Sequence, residues 1–104
     1  MAVKTFSEEY LANRLSALSK LVVVDGKGRV LFKYGKVSSA EVKQAKALVP
    51  LLGKGFQQAI SFFNDEIVIG LNFGDFLLRA YFPVDVNIER NLLRLREFGG
   101  MAWE

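Results

Sequence analysis

Apolar residues in this chain recur first at helical spacing and then alternate, and each change of period marks an element. Thr5 followed by Glu8 forms a capping box, in which each side chain satisfies an otherwise unpaired end-of-helix N–H. Tyr10, Leu11, Leu15 and Leu18 then share one helical face, which predicts an amphipathic helix over Thr5–Leu18. Leu21–Val24 is an apolar, β-branched run, Asp25-Gly26-Lys27-Gly28 is turn-forming, and Arg29–Tyr34 is extended again. This pattern predicts a β-hairpin with a four-residue connection. Ser38 and Glu41 form a second capping box, after which Val42, Ala45, Leu48, Val49 and Leu52 follow one helical face up to a Gly53/Gly55 exit. Pro50 cannot donate to the Lys46 carbonyl and its ring crowds that turn, so a kink or a frayed last turn is expected there.

Between Phe56 and Phe63 two periods compete. Phe56, Ala59, Ile60 and Phe63 would continue a helix, whereas Phe56, Gln58, Ile60 and Phe62 alternate. The two glycines just upstream favour a break, and a strand over Gln57–Phe63 is the expectation. Asn64-Asp65-Glu66 reads as a turn, Ile67, Ile69, Leu71 and Phe73 alternate, and Gly74-Asp75 fits a two-residue hairpin loop. Phe76, Leu78, Ala80 and Phe82 alternate on the return, and Pro83 ends the strand. Asp85 or Asn87 can cap a final helix with Ile88, Leu92, Leu95 and Phe98 as its stripe, stopped by Gly99-Gly100. The order is α-ββ-α-βββ-α, an α+β class, in a single domain over residues 1–104 without repeat or linker.

Composition narrows the function classes. A chain of 104 residues that is 51% hydrophobic, with nine Phe, has more apolar side chain than one small core readily hides, which predicts a partner surface or a dimer interface. The longest apolar runs, Leu21–Val24 and Ala47–Leu52, are far shorter than the roughly eighteen residues that cross a bilayer, and no signal-peptide core stands at the N-terminus. A soluble, cytoplasmic protein without membrane insertion is expected. The chain has no Cys and no His, which removes disulfides, thiolate metal sites, Cys nucleophiles and the commonest general base. Net charge is +3, divided as ten basic against four acidic residues in 1–54 and four against seven in 55–104. The lysines are scattered rather than interleaved with aromatics, so nucleic-acid binding is not expected.

Other candidate chemistry dissolves on inspection. Gly26-Lys27-Gly28 lacks a third dinucleotide-loop glycine at Leu31, and Gly53-Lys54-Gly55 lacks both the Ser or Thr after Lys54 and a glycine at Leu48. The carboxylate pairs Glu8/Glu9 and Asp65/Glu66 fall at a helix start and a turn tip rather than in a cleft. Asp25 lacks the further acids of a calcium loop. Arg90, Arg94 and Glu97 read as a solvated helix face, and Trp103 as either a partner anchor or a tail that folds back. No catalytic residue, cofactor site or metal site is assigned.

The stretches LVVVDGKGRVLFKYG, LLGKGFQQAISFFNDEIVIGLNFGDFLLRAYF and NIERNLLRLREF together resemble the first hairpin, the three-strand meander and the last helix of the roadblock (dynein light chain) family, in its small, single-domain, prokaryotic-type form. Pro50 departs from the family's uninterrupted second helix. The resemblance implies a profilin-like α/β sandwich, a five-stranded antiparallel sheet flanked by three helices, with the second helix on one face and the terminal helices on the other. It also implies a homodimer in which second helices pack together and third strands join two sheets. A charge-poor edge over Gln57–Phe63 independently invites such pairing. Val42, Ala45, Val49, Ala59 and Ile60 are the candidate dimer contacts, and Lys43, Gln44 and Lys46 the candidate partner-binding residues. In function the resemblance implies a non-enzymatic scaffold that binds a Ras-like small GTPase or serves as an adaptor subunit of a motor or signalling complex. The alternative is a small-molecule-sensing domain of profilin-like type without catalysis, disfavoured by strand faces that offer a ligand little polar grip.

Overall fold

The three strands whose sequences are apolar on both faces occupy the middle of the sheet, and the two with polar faces form its edges. The computed structural model describes Leu15, residues 17–52 and residues 58–102. Its strands are β1 (Lys20–Asp25), β2 (Val30–Tyr34), β3 (Gln58–Phe62), β4 (Ile67–Asn72) and β5 (Phe76–Phe82). They form one antiparallel sheet in the order β2-β1-β5-β4-β3. Among the described residues two α-helices pack on it, α1 (Ser39–Ala47) and α2 (Ile88–Ala102). The expected helix over Thr5–Leu18 lies outside the described residues apart from Leu15, Ala17 and Leu18. Leu15 and Leu18 are both buried in the core.

Alternation divides the apolar side chains into two layers. Leu21, Val23, Ile67, Ile69, Leu71, Leu78 and Phe82 pack with Leu15, Leu18 and Leu95 of α2 on one face. Val22, Val24, Val68, Leu77 and Tyr81 pack with Ala45 of α1 on the other. Buried on both faces, β4 and β5 are near-continuous apolar runs. The sandwich expected from the resemblance is therefore present, with α1 on one side and α2, Leu15 and Leu18 on the other.

The hairpin and meander follow the sequence reading closely. Residues 26–29 connect β1 and β2, one residue later than the expected turn, because Arg29 is spent on closing it. Phe73 N–H bonds to the Phe76 carbonyl across Gly74-Asp75, and Gly74 supplies the positive φ that this loop needs. The expected strand Gln57–Phe63 is observed as Gln58–Phe62. Asn87 rather than Asp85 caps α2, its Oδ1 accepting from Arg90 N–H at 3.0 Å.

Of two helix ends, that at Pro50 takes the expected alternative of a lost last α-turn and that at Gly99-Gly100 differs from expectation. The α-helix stops at Ala47 and gives way to a 3-10 turn over Val49–Leu51, so Pro50 replaces the last α-turn instead of kinking it. Gly99-Gly100 does not stop α2, which runs to Ala102. Glycine inside a helix costs only about 1 kcal/mol and needs a left-handed cap to terminate it.

Candidate interaction surface

Among the described residues the sheet leaves one edge open. The sequence of β3, QAISF, carries no charge, and β3 pairs only with β4. Phe63 N–H donates to the Glu66 carbonyl at 2.9 Å, closing the β3–β4 turn. Bonded pairs alternate along an antiparallel ladder, so Ala59 and Ser61, opposite Gly70 and Val68, are the residues bonded to β4. The backbone groups of Gln58, Ile60 and Phe62 therefore face away from the sheet. Phe62 and Phe63 end this edge with 68% and 54% of their surfaces exposed, on opposite faces. The other edge is protected: β2 carries Lys33 and an extra residue, Leu31, between the pairs Val23/Phe32 and Val24/Val30.

The second exposed element is α1. Its outer side presents Ser39, Ala40, Lys43, Gln44, Lys46 and Ala47 to solvent, so the candidate partner-binding residues Lys43, Gln44 and Lys46 are all accessible. The five candidate dimer contacts divide. Ala59 and Ile60 lie on the open edge, Ala59 exposed and Ile60 half-buried against the α2-side core. Val42, Ala45 and Val49 instead line the seat of α1 on its own sheet, where Ala45 is only 1% exposed.

A polar anchor holds that seat. Lys20 at the start of β1 bonds to the Glu41 carboxylate in the first turn of α1. Its Nζ also lies 3.9 Å from Glu66 and 4.7 Å from the centre of the Tyr81 ring. Glu41 completes the capping box as well, accepting Ser38 N–H at 2.8 Å. Burial pushes the Glu41 carboxyl up, but the bonds from Lys20 and Ser38 outweigh it and hold it below its ordinary value. The bond to Glu41 raises Lys20 against the opposing effect of its burial.

With Glu41 lowered, its contribution is complete above the unfolded value of 4.5 and is lost as pH falls through the folded value. The Lys20 contribution is complete below 10.5 and is lost as pH rises through its raised value. Glu41→Gln keeps the cap but not the charge. It is expected to cost about 1 kcal/mol near neutral pH, with the difference from wild type shrinking in urea denaturation as pH falls below 4.5 and through the folded value.

Tyr81 is 2% exposed, and its hydroxyl has no hydrogen-bond partner among the described residues. Burial pushes its ionisation up, so the hydroxyl stays neutral. Tyr81→Phe is expected to be neutral or stabilising by up to about 1 kcal/mol, since no bond is lost and a buried polar group is removed. A urea midpoint shift corresponding to a loss of more than about 1 kcal/mol would show instead that the hydroxyl has a partner.

No family model matches the sequence, and no curated protein matches it either. Solved structures do match. Myxococcus xanthus MglB superposes with a TM-score of 0.68 at 12% identity, over 85% of this chain and 81% of that one. MglB in a tetrameric arrangement gives 0.66 at 14% identity, over 91% and 88%. A roadblock/LC7 domain from Streptomyces avermitilis gives 0.64 at 10% identity, over 88% and 91%. The chain has the roadblock/LC7 fold.

Within this roadblock fold the remaining sequence candidates have local roles. Asp25 Oδ1 accepts the N–H groups of Lys27 and Arg29, each at 2.9 Å, and Oδ2 accepts Arg29 Nε at 2.8 Å. These bonds, led by the Arg29 N–H, lower the Asp25 carboxyl and commit both oxygens to the turn. Of the solvated-face candidates on α2, Arg90 and Glu97 are exposed and Arg94 is half-buried. Glu8, Glu9, Lys54 and Trp103 lie outside the described residues. Sequence reasoning missed the Lys20–Glu41–Glu66–Tyr81 group altogether. Its members are brought together only when β1, α1 and the meander assemble on the roadblock sheet, and no local spacing announces them.

Proposed function

We propose that this chain is a non-enzymatic scaffold or regulator that works as a homodimer and binds a Ras-like small GTPase, or serves as an adaptor subunit of a signalling or motor complex. The observation that carries the reading is the uncharged, outward-facing ladder of β3 at the edge of a sheet whose one face carries an exposed α1, within a roadblock fold. Pairing of two β3 strands about a two-fold axis satisfies the backbone groups of Gln58, Ile60 and Phe62 and brings the two α1 helices onto one side of a continuous sheet. Ala59 and Ile60 lie at the centre of that interface, while Val42 and Val49 hold α1 on its own sheet. Ala45 lets α1 sit close to the sheet. Lys43, Gln44 and Lys46 of both copies then form one surface for the partner. The tetrameric arrangement of one matching MglB structure supports an assembling role for the fold.

The test is direct binding of the purified protein to a panel of Ras-like GTPases in their GDP and GTP forms, with hydrolysis and nucleotide exchange read in parallel. Binding to at least one member, with a changed hydrolysis or exchange rate for a regulator and an unchanged one for an adaptor, is the expected result. No binding to any member overturns the GTPase reading.

A further inference from the structure

From Val30 to Leu52 the chain contains four lysines, Lys33, Lys36, Lys43 and Lys46, and a single acid, Glu41. All four lysines are exposed, and none forms an ion pair among the described residues. The one acid is already taken by Lys20, a residue from another strand. Register places these charges on a common side. Lys33 is directly opposite Val22, and Val22 belongs to the layer beneath α1, so Lys33 emerges on the face that α1 covers. Lys43 and Lys46 stand on α1 itself, and Lys36 lies in the short connection that leads into it. The exposed acids Asp65, Asp75, Asp85, Glu89 and Glu97 lie instead on the β3–β4 turn, the β4–β5 loop, the approach to α2 and α2 itself.

We infer that the α1 side of the sheet docks an acidic protein surface, with Lys43 and Lys46 at the contact and Lys33 and Lys36 at its border. This inference rests on the proposed partner-binding role of α1 and specifies the chemistry of the partner. Charge complementarity decides its sign, because unpaired lysines on one face attract carboxylates and repel basic surfaces. The residues between the lysines decide its class. Ser39, Ala40, Gln44 and Ala47 are small or polar and let another protein approach closely. No exposed aromatic on α1 offers a base a stacking platform, and no large aliphatic side chain on its outer side enters lipid. The fully exposed positive charges of this side are lysines, Arg79 on the same face being half-buried, which suits steering and a polar rim more than bidentate phosphate capture.

The experiment compares the intact wild-type chain with Lys43→Glu/Lys46→Glu by NMR titration at about 50 and 300 mM salt. The probes are a deca-glutamate peptide, the panel of Ras-like GTPases, a DNA duplex and phosphatidylserine vesicles. Both substitutions are on the exposed side of a helix and leave its cap and buried residues in place; a retained amide spectrum outside α1 confirms the fold. The expected result is that deca-glutamate perturbs Lys33, Lys36, Lys43 and Lys46 amides, and that its affinity falls at least about tenfold at the higher salt and again in the variant. A bound GTPase is expected to show the same two losses. Deca-glutamate binding elsewhere, or affinity indifferent to salt and charge reversal, overturns the inference. So does tighter binding of DNA or vesicles than of either protein probe through the same lysines. The two readings fail separately. A peptide that maps to α1 while no GTPase binds leaves the acidic surface standing and removes the GTPase, whereas GTPase binding untouched by charge reversal does the opposite.

Discussion

Phe62→Pro is expected to convert the proposed dimer, of twice 11.7 kDa, into an 11.7 kDa monomer in sedimentation equilibrium, with a dissociation constant raised at least about thirtyfold. The expectation follows from which way one N–H points. Phe63 is bonded across the turn, so Phe62, one residue before it, directs its backbone groups away from β4. Proline there removes a donor from the free edge and leaves the β3–β4 ladder intact. In an isologous interface each substitution acts twice, so the loss of one bond per copy, at roughly 1–3 kcal/mol for the acceptor left unpaired, is doubled. Exposed Phe62 also leaves no cavity in the core when its ring is lost.

Ser61→Pro is the companion variant. Its N–H faces β4, so this change is expected to damage β3 itself and lower the thermal midpoint, whether or not the protein dimerises. A Phe62→Pro protein that keeps a native circular-dichroism spectrum and still sediments as a dimer would remove β3 from the interface. Charges placed at Val49 or Ile60 are less decisive, because both side chains pack against the chain's own core and misfolding would mimic dissociation.

The fold was legible because its decisive signals are local. Two-residue alternation in Ile67–Phe73 and Phe76–Phe82, the Gly74-Asp75 loop and the Ser38–Glu41 box each depend on residues a few positions apart. In the ambiguous stretch 56–63, the alternation of Gln58, Ile60 and Phe62 prevails over helical spacing, and β3 forms there. What the sequence did not disclose is direction. Val42, Ala45 and Val49 form an apolar helical stripe, and nothing in a stripe says whether it covers its own sheet or a twin's; in the structure it covers its own sheet. A residue's average tendency does not by itself place a helix end, as α2 running through Gly99-Gly100 shows. The Lys20–Glu41 anchor spans 21 positions and exists only after three elements have met.

That anchor depends in turn on a backbone passage at Gly35, and Gly35→Ala is expected to destabilise the protein by about 3 kcal/mol, lowering Tm by roughly 12–24 °C. Gly35 leaves β2 with φ +76 and turns the chain back toward α1. A methyl group there would clash with the Ser19 carbonyl oxygen and sit 3.3 Å from the Lys20 Cα, both backbone atoms that cannot move without shifting β1. The left-handed conformation alone costs an alanine roughly 1–2 kcal/mol, and the clash adds to it. Gly28 isolates the two effects, since it has φ +79 but nothing within 4 Å of the added methyl, so Gly28→Ala should cost only the conformational part. Equal losses in the two variants, measured by thermal unfolding, would show that the close passage over Ser19 is not the source. The clash displaces the strand that carries Lys20, so Gly35→Ala should also weaken the seat of α1. Hydrogen exchange over Ser39–Ala47 is expected to rise more than exchange over β4, which Gly35 does not touch.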